Sequence, residues 1–229
     1  MIEVLNQGII FQLIGKLVSG RIKRGGGHLD EFGTQDIAFI VFNRCTTPLL
    51  TYGMLWYSWN HPEQVEWDVN KITVLNTVVS FLGFLVVYDF IYTCFHRLLH
   101  VRALYPWVHK HHHKQHAPTR GNTDAVNVHP FEFFAGEMLH LLCIAVVPSH
   151  CLTVFLFLVY GGIMASLNHT RIDFAIPPRF YDVKAHDMHH RIPTVNYGQY
   201  IMAWDWLLHG SYMPYTEPRS GVTKEYKDE

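Results

Sequence analysis

Four long apolar blocks separated by polar loops dominate the pattern along the chain. Residues 37–59 are apolar except for Asn43 and Arg44. Residues 72–95 carry no charge from Ile72 to Tyr88 and continue past Asp89 to Phe95. Residues 131–147 include Glu132, Glu137 and His140 in an otherwise apolar stretch, and residues 151–167 are again free of charge. A helix needs about 20 apolar residues to cross a hydrocarbon core about 30 Å thick. The second and fourth blocks reach that length with their flanks. The third is marginal, and Pro148 marks a tight turn into the fourth, so a crossing or a re-entrant hairpin returns the chain to the side it left. The pattern predicts an all-α polytopic membrane protein with about four transmembrane helices (37–59, 72–95, 131–147 and 151–167). A large soluble helical protein is disfavoured, because four such blocks in 229 residues leave too little polar surface to cover a core.

The apolar stretch from Ile9 to Val18 follows Glu3, and the basic residues Lys16, Arg21, Lys23 and Arg24 lie at its end or after it. That is the reverse of a signal peptide. Residues 1–35 are expected to form an amphipathic segment on the membrane surface, and residues 36–229 a single membrane domain. Among the loops, 61–71 holds one Lys and 148–150 none, while 16–24, 97–120 and 171–227 hold every other Lys and Arg except Arg44. This asymmetry places the basic face in the cytosol. Arg44 has no nameable partner and reads as a snorkelling or bundle-facing side chain. Trp204-Asp205-Trp206 reads as a headgroup-level anchor, and Gly161-Gly162 as a close helix contact.

Composition narrows the classes further. Charged residues are only 16% of the chain, against about 25% in soluble domains, and the net charge of -1 offers no basic field for nucleic acid. The four cysteines lie in or beside apolar runs with no CxxC spacing, which excludes a disulfide framework or thiolate site. Histidine is the outlier, with 17 residues. His96, His100, His109, His111, His112, His113 and His116 follow the second block; His169, His186, His189 and His190 follow the fourth. Both sets therefore emerge at the same membrane face, brought together by a hairpin of two membrane segments, and a cytosolic helical cap is expected to hold them.

Their spacing is specific. His96 and His100 form HxxxH; His109, His112 and His113 form HxxHH; His186, His189 and His190 form a second HxxHH. Positions i and i+4 share a helix face, so two imidazoles there can chelate one ion. The added adjacent ring points about 100° away, which suits two ions with about four imidazoles each. A histidine-rich loop that binds zinc loosely explains residues 110–116 alone. Because His112 and His116 also make an HxxxH, the roles of His111 and His116 stay open. Imidazole suits zinc, copper, iron and nickel, but zinc hydrolysis usually needs only three protein ligands and a water. So many imidazoles beside a membrane point to a redox pair that activates O2 against a C–H bond.

These residues resemble the fatty acid hydroxylase / sterol desaturase superfamily of membrane di-iron oxygenases. The resemblance runs from about Asp89 to Tyr212, through Asp89-x-x-Tyr92-x-x-x-His96-Arg-Leu-Leu-His100 and Tyr105-Pro-Trp-Val-His109-Lys-x-His112-His113. It continues through His129-Pro-x-Glu132, Asn168-His169, His186-Asp-Met-His189-His190, Asn196-Tyr197-Gly198 and Trp204-Asp205-x-x-x-x-Gly210. It implies that His96, His100, His109, His112, His113, His186, His189 and His190 are metal ligands, with His169 as a further one. His129 stays open between ligand, hydrogen-bond donor to a ligand and structural residue. The resemblance implies two Fe ions (with Zn able to occupy the sites in a purified protein), O2, and electrons from NAD(P)H through cytochrome b5 and its reductase. It also implies an integral enzyme of the endoplasmic reticulum with its histidine boxes facing the cytosol.

About 35 residues precede the first block, too few for a fused cytochrome b5 domain, so the electrons are expected from a separate protein. The end of the chain, Lys224 to Glu229, is neither a complete dilysine signal nor KDEL. Asp89, two turns before His96, is a candidate to accept a ligand's second ring N–H, and Asp187 is another. Glu132 and Glu137 are candidates to line a substrate path or cap the third helix. The expected reaction is O2-dependent hydroxylation or desaturation of a lipid: sterol, fatty acyl or sphingoid. The alternatives are a membrane zinc-binding or zinc-transport protein, or a scaffold with a structural metal.

Overall fold

The computed structural model describes residues 20–23, 31–176, 180–208 and 210–217. The expected amphipathic segment is described only at 20–23 and 31–35, and the C-terminal signal region lies outside the described residues. Each long helix starts where a side chain satisfies an orphan backbone donor. Helix α1 (Thr34–Asn60) begins with the Asp36 carboxylate accepting the Gly33 N–H at 2.9 Å. Helix α2 (Val74–Leu99) is capped by the Thr73 hydroxyl, which accepts the Asn76 N–H at 3.1 Å. Two short helices, α3 (Tyr105–Val108) and α4 (Asn122–Ala125), lie in the loop that follows. Helix α5 (Pro130–Val146) opens with a proline whose missing N–H costs nothing there, and the His129 ring accepts the Phe131 N–H at 3.2 Å. Helix α6 (Cys151–Asn168) is capped in the same way by His150. Helices α7 (Val183–Arg191) and α8 (Ala203–Leu207) follow.

The four long helices match the four apolar blocks within a few residues. Helix α2 packs on α5 and α6, and α1 packs on α5. Phe84, Leu85, Cys143, Ile144, Val154 and Phe157 fill the core between them, with Phe84 and Phe157 stacked at 4.6 Å between ring centroids. The turn at Pro148 is held by a two-residue parallel pairing of β1 (Val65–Glu66) with β2 (Ser149–His150). A second two-residue pair, β3 (Ala175–Ile176) with β4 (Tyr181–Asp182), precedes α7.

Among the described residues, α2 and α6 are long and apolar enough to cross a membrane, with mean hydropathy 2.0 and 1.8. Helix α1 is long enough but more polar, and α5, with 17 residues, spans about 26 Å. The polar pair in α1 has partners that its sequence does not reveal. Arg44 donates to the Thr123 hydroxyl at 2.8 Å, and the Asn43 amide donates to the Val126 and Val128 carbonyls, both at 2.9 Å. These bonds tie α1 to the loop that carries the second histidine box to α5.

The expected Trp204-Asp205-Trp206 anchor is corrected in part. Trp206 is exposed, but Asp205 is fully buried. Its carboxylate accepts the N–H groups of Tyr197 and Gly198 at 2.9 and 2.7 Å and the Ser211 hydroxyl at 2.7 Å. It shapes the 196–200 loop instead of meeting a headgroup.

Candidate metal centre

The histidines gather where the helices end. Helix α2 delivers His96 in its last turn and His100 at its C-cap. Helix α3 ends at His109, a following 3-10 turn presents His112 and His113, and His169 caps the C-terminus of α6. His186, His189 and His190 lie on α7. All nine candidate residues fall into two compact groups. His96, His100, His109, His113 and His189 form one, and His112, His169, His186 and His190 form the other; within each, the ligand atoms lie within 4.8 Å of one another. Each HxxHH divides between the groups. His109 and His113 join the first while His112 joins the second; His186 and His190 join the second while His189 joins the first. The groups abut, with the His113 and His190 ring centroids 5.0 Å apart.

The hydrogen bonds around the rings fix where their protons sit. A carbonyl can only accept, so a ring nitrogen facing one must carry the proton. His96 Nδ1 donates to the Tyr197 carbonyl at 2.8 Å, His189 Nδ1 to Val195 at 2.7 Å, and His169 Nδ1 to Ala165 at 2.7 Å. His109 Nδ1 faces the Glu132 carboxylate at 2.7 Å. In the neutral rings the Nε2 atoms are then bare lone pairs. His109 Nε2 nevertheless stands 3.0 Å from His96 Nε2, with no proton to share between them. In the second group, His169 Nε2 is 3.3 Å from the Nε2 atoms of both His112 and His186. His189 Nε2 and His100 Nε2 are buried without a hydrogen-bond partner. Such mutual exposure of lone pairs is repulsive unless a cation sits among them. At metal–nitrogen distances of about 2.1 Å, adjacent ligands lie about 3.0–3.4 Å apart for right-angled to tetrahedral geometry. The observed spacings match, and the donor set fits two ions.

Burial keeps the rings neutral. His109, His112, His113, His186, His189 and His190 are all held well below the ordinary histidine value, first by loss of water and then by neighbouring imidazoles. His100 is pushed down to about 2 for the same reasons. Their lone pairs are therefore available at neutral pH.

The carboxylates take unexpected places. Asp89 does not receive a ring N–H. Its Oδ1 accepts the backbone N–H groups of Gln199 and Tyr200 at 2.8 and 2.6 Å, so it acts on His96 only through the loop whose Tyr197 carbonyl orients that ring. Gly198 is required between the two acids, since a Cβ there would meet the Ile201 carbonyl at 2.6 Å. Asp187 contacts arginines: Arg171 Nη1 at 2.5 Å and Arg191 Nε at 3.2 Å from its other oxygen. Among the described residues, the carboxylate that reaches a ring of these two groups is Glu132, in the first turn of α5. Its place three residues after His129, at the histidine end of an apolar helix, is the sequence signal that could have singled it out. A Glu132→Gln substitution keeps the shape and removes the charge. It is expected to weaken metal retention about 10- to 100-fold in a chelator competition. Unchanged retention would mean that the carboxylate does not tune the ring.

Two of the open histidines, His111 and His129, make other contacts. His111 Nε2 lies 3.0 Å from Asp36 Oδ1 and 2.9 Å from the Asn127 amide oxygen, tying the second box to the start of α1. His129 caps α5. Among the described residues, neither group includes His111, His116 or His129.

Comparison with known sequences follows from this geometry. The sequence profile described as Fatty acid hydroxylase matches residues 81–210. The chain is 29% identical over 162 residues to a Cholesterol 25-hydroxylase-like protein of Caenorhabditis elegans, covering 68% of this chain and 53% of that protein. It is 26% identical over 187 residues to Cholesterol 25-hydroxylase-like protein 2 of Danio rerio, covering 74% of this chain and 65% of that protein. It is 31% identical over 140 residues to Lathosterol oxidase of Rattus norvegicus, covering 57% and 44%. The chain thus spans about half the length of such relatives. No solved structure matches.

Proposed function

The chain belongs to the fatty acid hydroxylase family, and from that premise we propose that it is a membrane oxidoreductase that hydroxylates or desaturates a lipid at a pair of iron ions. One observation carries the proposal: buried Nε2 atoms 3.0–3.4 Å apart in two adjoining groups, bare at least in His96, His109, His169 and His189. His96, His100, His109, His113 and His189 would hold one ion, and His112, His169, His186 and His190 the other. Bound there, redox-active iron supplies the O2 activation that an unactivated C–H bond demands, with electrons from NAD(P)H through a separate cytochrome b5 and its reductase. Glu132 and the Tyr197, Val195 and Ala165 carbonyls keep the ring protons on Nδ1 and so aim Nε2 inward. Burial of the rings excludes bulk water from the reacting centre.

The remaining architecture supports the membrane reading. Beside α2 and α6, helices α1 and α5 also turn large apolar side chains outward, among them Leu49, Trp56, Trp59, Phe131 and Phe134. Such a belt is costly in water and favourable in lipid, so all four helices are assigned to the bilayer. The basic loops favour a cytosolic histidine end, and the proposed membrane is that of the endoplasmic reticulum. Metal analysis of the purified protein tests the proposal. Two irons per chain with O2 consumed on lipid addition is the expected result. Tightly held zinc without O2 uptake after iron reconstitution would instead favour the zinc-binding or scaffold alternatives.

A further inference from the structure

A cavity of about 280 Å³ runs between the long helices, close to the lower end of small-molecule sites. His112, His169 and His186 line it, and so do Tyr88, Glu137, His140 and Tyr200. The last four form a polar layer inside the apolar bundle, and three helices place it about two turns from the end of the bundle that carries the histidines. Tyr88 is eight residues before His96 on α2. His140 is eight after Glu132 on α5. Gly161, whose Cβ would meet Tyr200 Oη at 2.5 Å and His140 Nε2 at 3.2 Å, is eight before His169 at the end of α6. Eight helical residues are about 12 Å.

Two protons of this layer, those of His140 and Tyr200, are committed. His140 Nδ1 faces the Gly136 carbonyl at 3.2 Å, with a Glu137 carboxylate oxygen at 3.9 Å, so it is the donor nitrogen. His140 Nε2 is then an acceptor, and the Tyr200 hydroxyl donates to it at 3.1 Å. Tyr88 stacks on Tyr200 with ring centroids 4.8 Å apart. What remains on Tyr200 is acceptor capacity on its phenolic oxygen. Ionisable groups at this depth are expensive and are kept for a use.

We propose that Tyr88, His140 and Tyr200 form an anchoring subsite for the free hydroxyl of an otherwise apolar lipid, holding a carbon about 12 Å from that hydroxyl at the histidine groups. The subsite rests on the oxygenase reading for its purpose but not for its chemistry. It accepts a hydrogen bond, so an alcohol is preferred over its methyl ether. Reaction falls on a carbon remote from the hydroxyl, not next to it.

Equilibrium binding to the purified, metal-free full chain tests this with cholesterol and with octadecanol, each against its methyl ether. One of the two alcohols is expected to bind about tenfold more tightly than its ether, and which one does so tells a fused-ring body from a linear one. Tyr200→Phe should erase that preference while leaving ether binding unchanged, and Gly161→Ala, which displaces the Tyr200 hydroxyl, should do the same. The proposal is overturned if neither alcohol is preferred, if the preference survives Tyr200→Phe, or if Tyr200→Phe weakens alcohol and ether equally, as a purely structural residue would. Because no metal is needed, an alcohol preference without turnover in the iron-loaded protein would sink the oxygenase reading alone. Turnover without that preference would sink the subsite alone.

Discussion

A His189→Ala protein is expected to lose product formation by more than about 100-fold and to hold one metal ion per chain in place of two. Loss of a residue that merely orients a ligand costs about 10- to 100-fold, and on the proposed reading His189 would contribute a ligand atom directly. Its Nε2 is buried and without a hydrogen-bond partner, while its Nδ1 is held by the Val195 carbonyl. The ring sits between His96, His113 and His100, with centroids at 4.4, 4.8 and 4.9 Å. Removing it leaves His112, His169, His186 and His190 untouched, which is why one ion should stay. His111→Ala is the contrasting variant: His111 lies outside both groups, so the metal count should not change. Elemental analysis and lipid product assays on the same preparations decide the matter. Full metal and full activity in His189→Ala would remove the dinuclear assignment.

Arg171→Met is expected to cost about 3–5 kcal/mol of stability, the usual penalty for breaking a buried ion pair from one side. Arg171 is 2% exposed and Asp187 1%. The guanidinium also donates to the Ile22 carbonyl at 3.2 and 3.1 Å and to the Lys23 carbonyl, fastening the described N-terminal segment to the end of α6. Methionine fills similar space but leaves those carbonyls without their donor and the Asp187 carboxylate with Arg191 as its remaining arginine. Asp187 sits between His186 and His189 on α7, so the damage should reach both groups as faster metal loss. Chemical unfolding in detergent measures the first effect and chelator kinetics the second. Arg191→Met, which removes a more peripheral partner of Asp187, should cost less. A loss below about 1 kcal/mol for Arg171→Met would show that the pair is not fully desolvated.

Several of these contacts could not be foreseen from the chain because backbone atoms make them. The carbonyls of Tyr197, Val195 and Ala165 orient three rings, yet any residue supplies a carbonyl. Asp89 stood at a helical spacing suited to His96, but its carboxylate turned to the N–H groups of an incoming loop more than 100 residues later. Glu132 was visible as a costly acid at a helix mouth; its choice of His109 depended on how the second box folded back over α5.

The sequence by itself determined the four apolar helices, the turn at Pro148 and the nine histidines, because hydrophobic burial and helical periodicity act over a few turns and leave their period in the chain. The division of those histidines into groups of five and four, the pairing of Glu132 with His109, and the burial of Asp205, Asp187 and Arg171 were decided only by tertiary structure. Each depends on which groups meet across loops, and in a low-dielectric interior a polar atom takes whatever partner the packing brings within reach.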